Sequence, residues 1–525
     1  MYDYILRGGT VVDGTGRAPF RADVGIKDGK IVGIAAGLEG EARELIDVTG
    51  LAVAPGFIDF HSHSDTTFLL DDRCESKIFQ GVTTEVAGQC GYTIYPCPED
   101  RMENIRRYAG DAFAEFASNS FQEFMDKAQT KGKKMSTNLI SLIGHGAIRC
   151  GVLGYEGSKA TPEQLRQMQE LLDRDMQAGA WGLSLGLGYT PGVFADQDEL
   201  NALGEIVAKH DGIITCHMRD QGSNTPASLE ELYEINRKTG AHVHVAHFKA
   251  AGKKNWGRAP EFVQNVAEAR ALGIDVTVDI YPYTAASSDI ITNCFPTWAV
   301  QGGKSMAIAR LHGDERERII GFLEDEYQTQ SDGEGVYIVT TDGRYPAADG
   351  KNIWELSHEL GLSMAETIAK VAVETGGDCT CIAFLMSDED VDYMLAQENY
   401  VIGSDGSGLP LSPDENEGKP HPRNFGSFPR FLRWAREKGI ALEKAVYRIA
   451  GLCAEFLHLN DRGILKPGMV ADITVFDPVN TTDNATYIDP FRKPTGIEHV
   501  FISGQPALLY AKQTDKRLGR FILKK

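Results

Sequence analysis

The chain has 525 residues, 42% hydrophobic and 24% charged, a balance that excludes a disordered polymer and suits one large domain with a satellite. Its formal net charge of −21 would repel a phosphate backbone, which argues against nucleic acid and anionic membrane as partners. No apolar run has the length of a membrane span, residues 1–7 lack a basic leader, and nine cysteines without framework spacing fit a reducing compartment, so a cytoplasmic protein is expected.

From Tyr4 to Val53 the pattern is one of short strands. Residues 23–27 and 30–34 flank Asp28-Gly29, a two-residue hairpin signal in which Gly supplies the positive φ of a type I′ turn. Residues 471–477 and 500–504 repeat this texture after the turn Lys466-Pro467-Gly468. Neither end can bury an apolar face alone, so residues 1–53 and 465–525 are expected to pair into one small β-sandwich domain.

Residues 54–464 alternate strand, loop and helix. Thr161-Pro162-Glu163-Gln164 reads as a helix start, with Thr as N-cap, Pro at the first helical position and Gln closing a capping box. Leu165, Met168, Leu172 and Met176 then recur at helical spacing until Gly179. Strands are expected over 56–63, 83–90, 139–145, 180–185, 212–217, 243–247, 274–281 and 400–405. With helices between most of them, the pattern is an α/β fold, a closed parallel (β/α)8 TIM-like barrel. His63, Cys90, His145, His217, His247, Tyr281 and Asp405 fall at or near the carboxyl ends of these strands, the face on which such barrels build active sites. The stretch 287–361 reads as irregular apart from a strand-like piece at 336–340, and interrupts the last repeats as either a lid or surface decoration.

His61 and His63, one residue apart at a strand end, would present both imidazoles to one face. Two imidazoles do not fill a divalent site, and each further candidate taken singly has a plainer reading, a satisfied core histidine for His217 or His247 and a helix cap for Asp405. Together His61, His63, Cys90, His217, His247 and Asp405 offer the nitrogen, thiolate and carboxylate donors that zinc prefers.

At these residues the chain resembles the amidohydrolase superfamily, and within it the N-acyl-D-amino-acid deacylases, or D-aminoacylases. The resemblance runs over nearly the whole length, through residues 55–65 with their His-x-His, Gly81-Val82-Thr83-Thr84, Gly88-Gln89-Cys90-Gly91, the 185–192 loop, Tyr281-Pro282-Tyr283-Thr284, Ser404-Asp405-Gly406 and residues 420–426. Cys90 is the sharper sign, because many relatives hold their metals with a carboxylated lysine and this subgroup resembles the one that uses a thiolate. Gln89, where the family usually has Asn, and Gln221, near a usual Glu, depart from the pattern and are expected to flank the pocket.

The resemblance implies zinc-dependent hydrolysis of N-acyl-D-amino acids. Cys90, His217 and His247 would hold a tight zinc, with His61, His63 and Asp405 around a second, weaker position, and Asp405 would serve as general acid and base. Arg423 offers a planar fork for the substrate carboxylate, and by resemblance Lys249, Tyr281 and Ser287 complete that clamp. His145 would be a supporting or oxyanion group. Competing readings are a cyclic amidohydrolase of hydantoinase or dihydropyrimidinase type, and a non-catalytic barrel scaffold.

Overall fold

Parallel strands Phe57–Asp59, Val82–Ala87, Asn138–Ser141 (continued by Ile143–Gly144), Gly182–Gly186, Ile213–His217, His242–Val245, Val276–Ile280 and Val401–Ile402 form the expected (β/α)8 barrel. The computed structural model describes residues 1–109, 111–155, 157–300, 303–327, 335–416 and 418–525. The barrel closes between its first and last strands, where the Phe60 N–H donates to the Ile402 carbonyl at 3.4 Å and the Asp405 N–H to the His61 carbonyl at 2.8 Å. That closure brings the His-x-His strand end beside Asp405. Almost every strand residue is buried, as parallel strands covered on both faces must be.

The helix Pro162–Gln177 starts where its sequence says, with Thr161 accepting from the Gln164 N–H and the Gln164 side chain returning to the Thr161 N–H. Such a cap is worth about 1 kcal/mol. Its buried face carries Met168, Leu172 and Met176. Among the described residues no helix is long and apolar enough to cross a membrane.

Both chain ends enter one nine-stranded sheet, in which Ala52–Pro55 pairs antiparallel with Ile473–Phe476. Strand Tyr2–Val11 pairs with Ala42–Asp47 along its first half and with Ala52–Pro55 at its end. The sheet therefore turns at that strand and folds over a shared core of Leu6, Val24, Ile26, Ile46, Val475 and Phe501. At the hairpin, Asp28 and Gly29 take φ 49° and 76° between Lys27 and Lys30.

Between the seventh and eighth barrel strands the chain builds a regular α/β unit, which corrects the expectation of an irregular stretch. Antiparallel strands Ala285–Asp289, Thr380–Phe384 and Val336–Thr340 lie in that order, with helices including Lys304–Leu311, Ile353–Leu360 and Met364–Thr375 packed around them. Ile290, Ile319, Leu323, Ile338, Ile368 and Cys381 form a core separate from that of the barrel. The unit thus runs past the expected end at 361, because its central strand lies at Thr380–Phe384. Residues 301–302 and 328–334 of the expected insertion lie outside the described residues.

Candidate metal centre and active site

The candidate donors lie at the carboxyl ends of barrel strands or on the turns that follow, and three of them sit in left-handed backbone: Cys90 at φ 57°, His247 at φ 36° and Asp405 at φ 52°. A non-glycine residue takes this conformation at a cost, and such cost concentrates where geometry serves function. Gly91 shows why the Cys90 turn needs its glycine. At φ 75°, a Cβ there would lie 2.7 Å from the Gly186 nitrogen, so the turn packs directly on the fourth strand.

The side chains converge. His61 Nε2 lies 3.4 Å from Cys90 Sγ and 3.5 Å from Asp405 Oδ1. His247 Nε2 lies 3.4 Å from the same sulfur and 2.9 Å from His217 Nδ1, and His63 Nε2 lies 3.2 Å from Asp405 Oδ1. Donor atoms of His61, Cys90, His247 and Asp405 all fall within 4.8 Å of one another.

The proton states of these groups fit a divalent metal. Burial opposes ionisation of Cys90, but the His61 charge, with hydrogen bonds from His217 and His247, outweighs it and holds the thiol well below its ordinary range. Burial keeps His217 lowered, and burial with the Lys249 charge brings His247 down to about 4. A thiolate beside two neutral imidazoles is what zinc requires of its ligands. His61 and His63 differ. Burial works against their charged form, yet Asp279, Cys90 and Asp405 raise His61 well above its usual value, while Asp405 and Cys90 raise His63 to about 9. A metal held by these two must displace protons.

The proposed carboxylate clamp adjoins the donors. Arg423, first residue of the helix Arg423–Glu437 and buried, donates from Nη1 to Asp405 Oδ2 at 2.7 Å and from Nη2 to the Ser287 carbonyl at 3.3 Å. Its guanidinium carbon lies 5.1 Å from the Tyr281 ring centre, and Lys249 Nζ approaches the same ring to 5.2 Å. Lys249 Nζ also lies 3.0 Å from His247 Nδ1, and burial brings its pKa down to about 8 against the pull of Asp405. The Tyr281 side chain is buried against both cations.

His145 is not brought to the donors. It lies wholly buried with Nε2 2.8 Å from Glu199 Oε1, whose other oxygen pairs with Arg149. Gln89, directly before Cys90, is wholly buried. It braces the barrel interior, giving Nε2 to the Phe60 carbonyl at 3.0 Å and accepting from Thr215 Oγ1 at 2.7 Å.

Sequence reasoning missed Asp279. Its Oδ2 lies 3.2 Å from His61 Nδ1 and 2.8 Å from His244 Nε2, and its Oδ1 accepts the His247 N–H at 2.9 Å. The signal was legible as polar residues at alternate positions, His242 and His244 on one strand and Thr277 and Asp279 on the next, where a barrel interior otherwise takes branched apolar side chains.

Soft and hard donors gathered at the carboxyl ends of barrel strands define a metal-dependent enzyme of the (β/α)8 class. The chain belongs to the amidohydrolase family, whose sequence model matches residues 44–508. It is 31% identical over 530 residues to the D-aminoacylase of Alcaligenes xylosoxydans xylosoxydans, covering 99% of this chain and 97% of that one. Against the N-acyl-D-glutamate deacylase of the same organism the identity is 32% over 507 residues, with 96% and 93% of the two chains covered. The crystal structure of N-acyl-D-glutamate deacylase from Bordetella bronchiseptica, in complex with zinc and a phosphonate mimic of the tetrahedral intermediate, superposes with a TM-score of 0.83 at 28% identity over 100% of both chains.

Proposed function

We propose that the chain hydrolyses the amide bond of N-acyl-D-amino acids, releasing a carboxylate and a free D-amino acid, with zinc as its metal. The observation that carries this reading is the junction of two sites: converging metal donors, of which Cys90, His217 and His247 are already shifted toward their binding protonation states, and a buried Arg423, Lys249 and Tyr281 group suited to a carboxylate, joined through the 2.7 Å contact between Arg423 and Asp405. The D-aminoacylase and N-acyl-D-glutamate deacylase relatives support the substrate class, and the zinc-phosphonate complex supports the metal.

Cys90, His217 and His247 would hold the tighter zinc. His61, His63 and Asp405 would hold a weaker one, since protons compete for its imidazoles. Zinc held by Cys90, His217 and His247 would supply Lewis acidity for the acyl carbonyl and for the attacking water. Asp405 does the proton work, accepting the proton of the water and returning it to the amine nitrogen as the C–N bond breaks. Burial raises its carboxyl, but the Arg423 charge and the His61 imidazole prevail and hold it well below the usual range, so it is ionised. Arg423 and Lys249 receive the substrate carboxylate beside the metal donors, next to Asp405 and His247. With the carboxylate and the amide nitrogen fixed, the configuration at the α-carbon is set by the space left for its side chain. The test is turnover of a panel of N-acetyl-D-amino acids beside their L-enantiomers and a hydantoin. Cleavage confined to the D-series supports the reading, and preference for the hydantoin or the L-series removes it.

Arg423→Ala should lower kcat/KM by about thirtyfold or more, the loss of about 2–3 kcal/mol expected for a buried charge-assisted contact. Part of that loss is in kcat, because Asp405 loses its partner. The diagnostic readout is the substrate: the native enzyme should handle the neutral carboxamide analogue poorly, and the variant should narrow the gap. An unchanged preference for the carboxylate assigns its recognition to Lys249 instead.

Asp279→Asn should weaken the second metal equivalent about 10–100-fold while the first stays bound, because a carboxylate behind a ligating imidazole fixes its tautomer and orientation. Equilibrium dialysis against zinc measures this, and native affinity for both equivalents would show the contact to His61 to be passive.

A further inference from the structure

Lys77, in the short helix Glu75–Ile78 between the first and second barrel strands, is wholly buried. Its Nζ donates to Asp59 Oδ2 at 2.7 Å, to Ser404 Oγ at 2.7 Å and to the Gly406 carbonyl at 3.0 Å, and lies 3.4 Å from Glu85 Oε2. Asp59 Oδ1 accepts the Ser404 N–H at 2.8 Å, and Asp59 Oδ2 accepts from Ser404 Oγ at 2.6 Å. Glu85 Oε2 in turn accepts from Ser62 Oγ and Ser64 Oγ, both at 2.6 Å. One ammonium therefore ties the first strand, the second strand and the 404–406 turn together.

A buried charge in a barrel wall is not explained by packing. A methionine would fill the volume without the desolvation cost, and buried ion pairs are at best neutral against apolar residues of their size. What the network does hold is the turn that carries Asp405. That residue sits at φ 52°, its N–H bound to the His61 carbonyl at 2.8 Å, and both of its neighbours, Ser404 and Gly406, are tied to Lys77. A strained backbone persists only where its surroundings over-determine it. On the opposite side Arg423 grips Asp405 Oδ2. The two cations thus divide the task, Lys77 fixing the backbone of Asp405 and Arg423 its carboxylate.

We propose that Lys77 is a positioning residue for Asp405, which keeps the carboxylate aimed between the donors and the departing nitrogen; this rests on the reading of Asp405 as the proton-transfer group. Lys77 itself touches neither the metal donors' side chains nor the carboxylate clamp, so its effect on turnover must pass through the turn it holds.

A double-mutant cycle on the full-length, zinc-loaded protein tests this, with Lys77→Met, Asp405→Asn and their combination assayed for kcat, KM, zinc content and Tm. Lys77→Met alone should lower kcat by about thirtyfold or more with KM changed less than about threefold and the first zinc equivalent retained. In the Asp405→Asn background the same substitution should cost less than about threefold, because the group it positions can no longer transfer a proton. Lys77→Met with Asp59→Asn removes one positive and one negative charge together, and should recover Tm without recovering kcat. Equal losses in the two backgrounds, native kcat in the charge-balanced variant, or failure of both Lys77 variants to fold would each overturn the proposal and make Lys77 an architectural residue. Native turnover in Asp405→Asn alone would instead remove the reading of Asp405, before Lys77 enters the cycle.

Discussion

Asp405→Asn is expected to keep one zinc equivalent and a nearly native KM while kcat falls by about 10²–10⁴-fold. The expectation follows from where the carboxylate sits. Its Oδ1 faces His61 and His63 and its Oδ2 is held by Arg423, so it borders the donors and the clamp at once. Asparagine keeps the shape and an acceptor oxygen but takes no proton near neutrality. Cys90, His217 and His247 do not depend on that charge for their mutual geometry. The pH profile of kcat gives the sign. A base works when ionised, and Asp405 is held well below the ordinary carboxylate range, so its own contribution to native turnover should be lost as pH falls into that low range. That acidic limb should vanish in the asparagine variant. Complete loss of zinc would make Asp405 chiefly a ligand, and an unaltered rate and profile would move the proton transfer elsewhere.

Cys90→Ala should lose both metal and turnover. The sulfur lies 3.4 Å from His61 Nε2 and from His247 Nε2, within the donor set, and alanine leaves no donor atom in its place. Cys216 provides the control. It is buried in the main apolar core, and burial holds its thiol well above the ordinary value, so Cys216→Ala should bind zinc and turn over as the native protein does. Full zinc content in the Cys90→Ala protein would remove the thiolate from the site.

Much of this was legible in the sequence because barrel strands and their turns carry local signatures. The alternation of strand and helix gave the barrel, and the residues closing its strands, from His61 to Asp405, gave the donors that the structure brings together. The Asp28-Gly29 hairpin and the Thr161 cap are short-range features, settled by a few residues each. What escaped depends on contacts across the fold. Lys77 lies 327 residues from Ser404 in sequence, and Asp279 lies 218 from His61, so no spacing could announce either contact. The unit between the seventh and eighth strands escaped for a related reason, since its central strand Thr380–Phe384 pairs with segments far upstream. His145 stands at a strand end as the donors do, but the position alone does not say that Glu199 and Arg149 claim it.

The most direct measurement is turnover of one N-acetyl-D-amino acid as zinc is returned to chelator-treated protein, with bound metal counted at each step. The account predicts no cleavage without metal, a rate that rises in proportion to the first zinc equivalent, and no cleavage of the L-enantiomer at any occupancy. Undiminished turnover by the metal-free protein would contradict it.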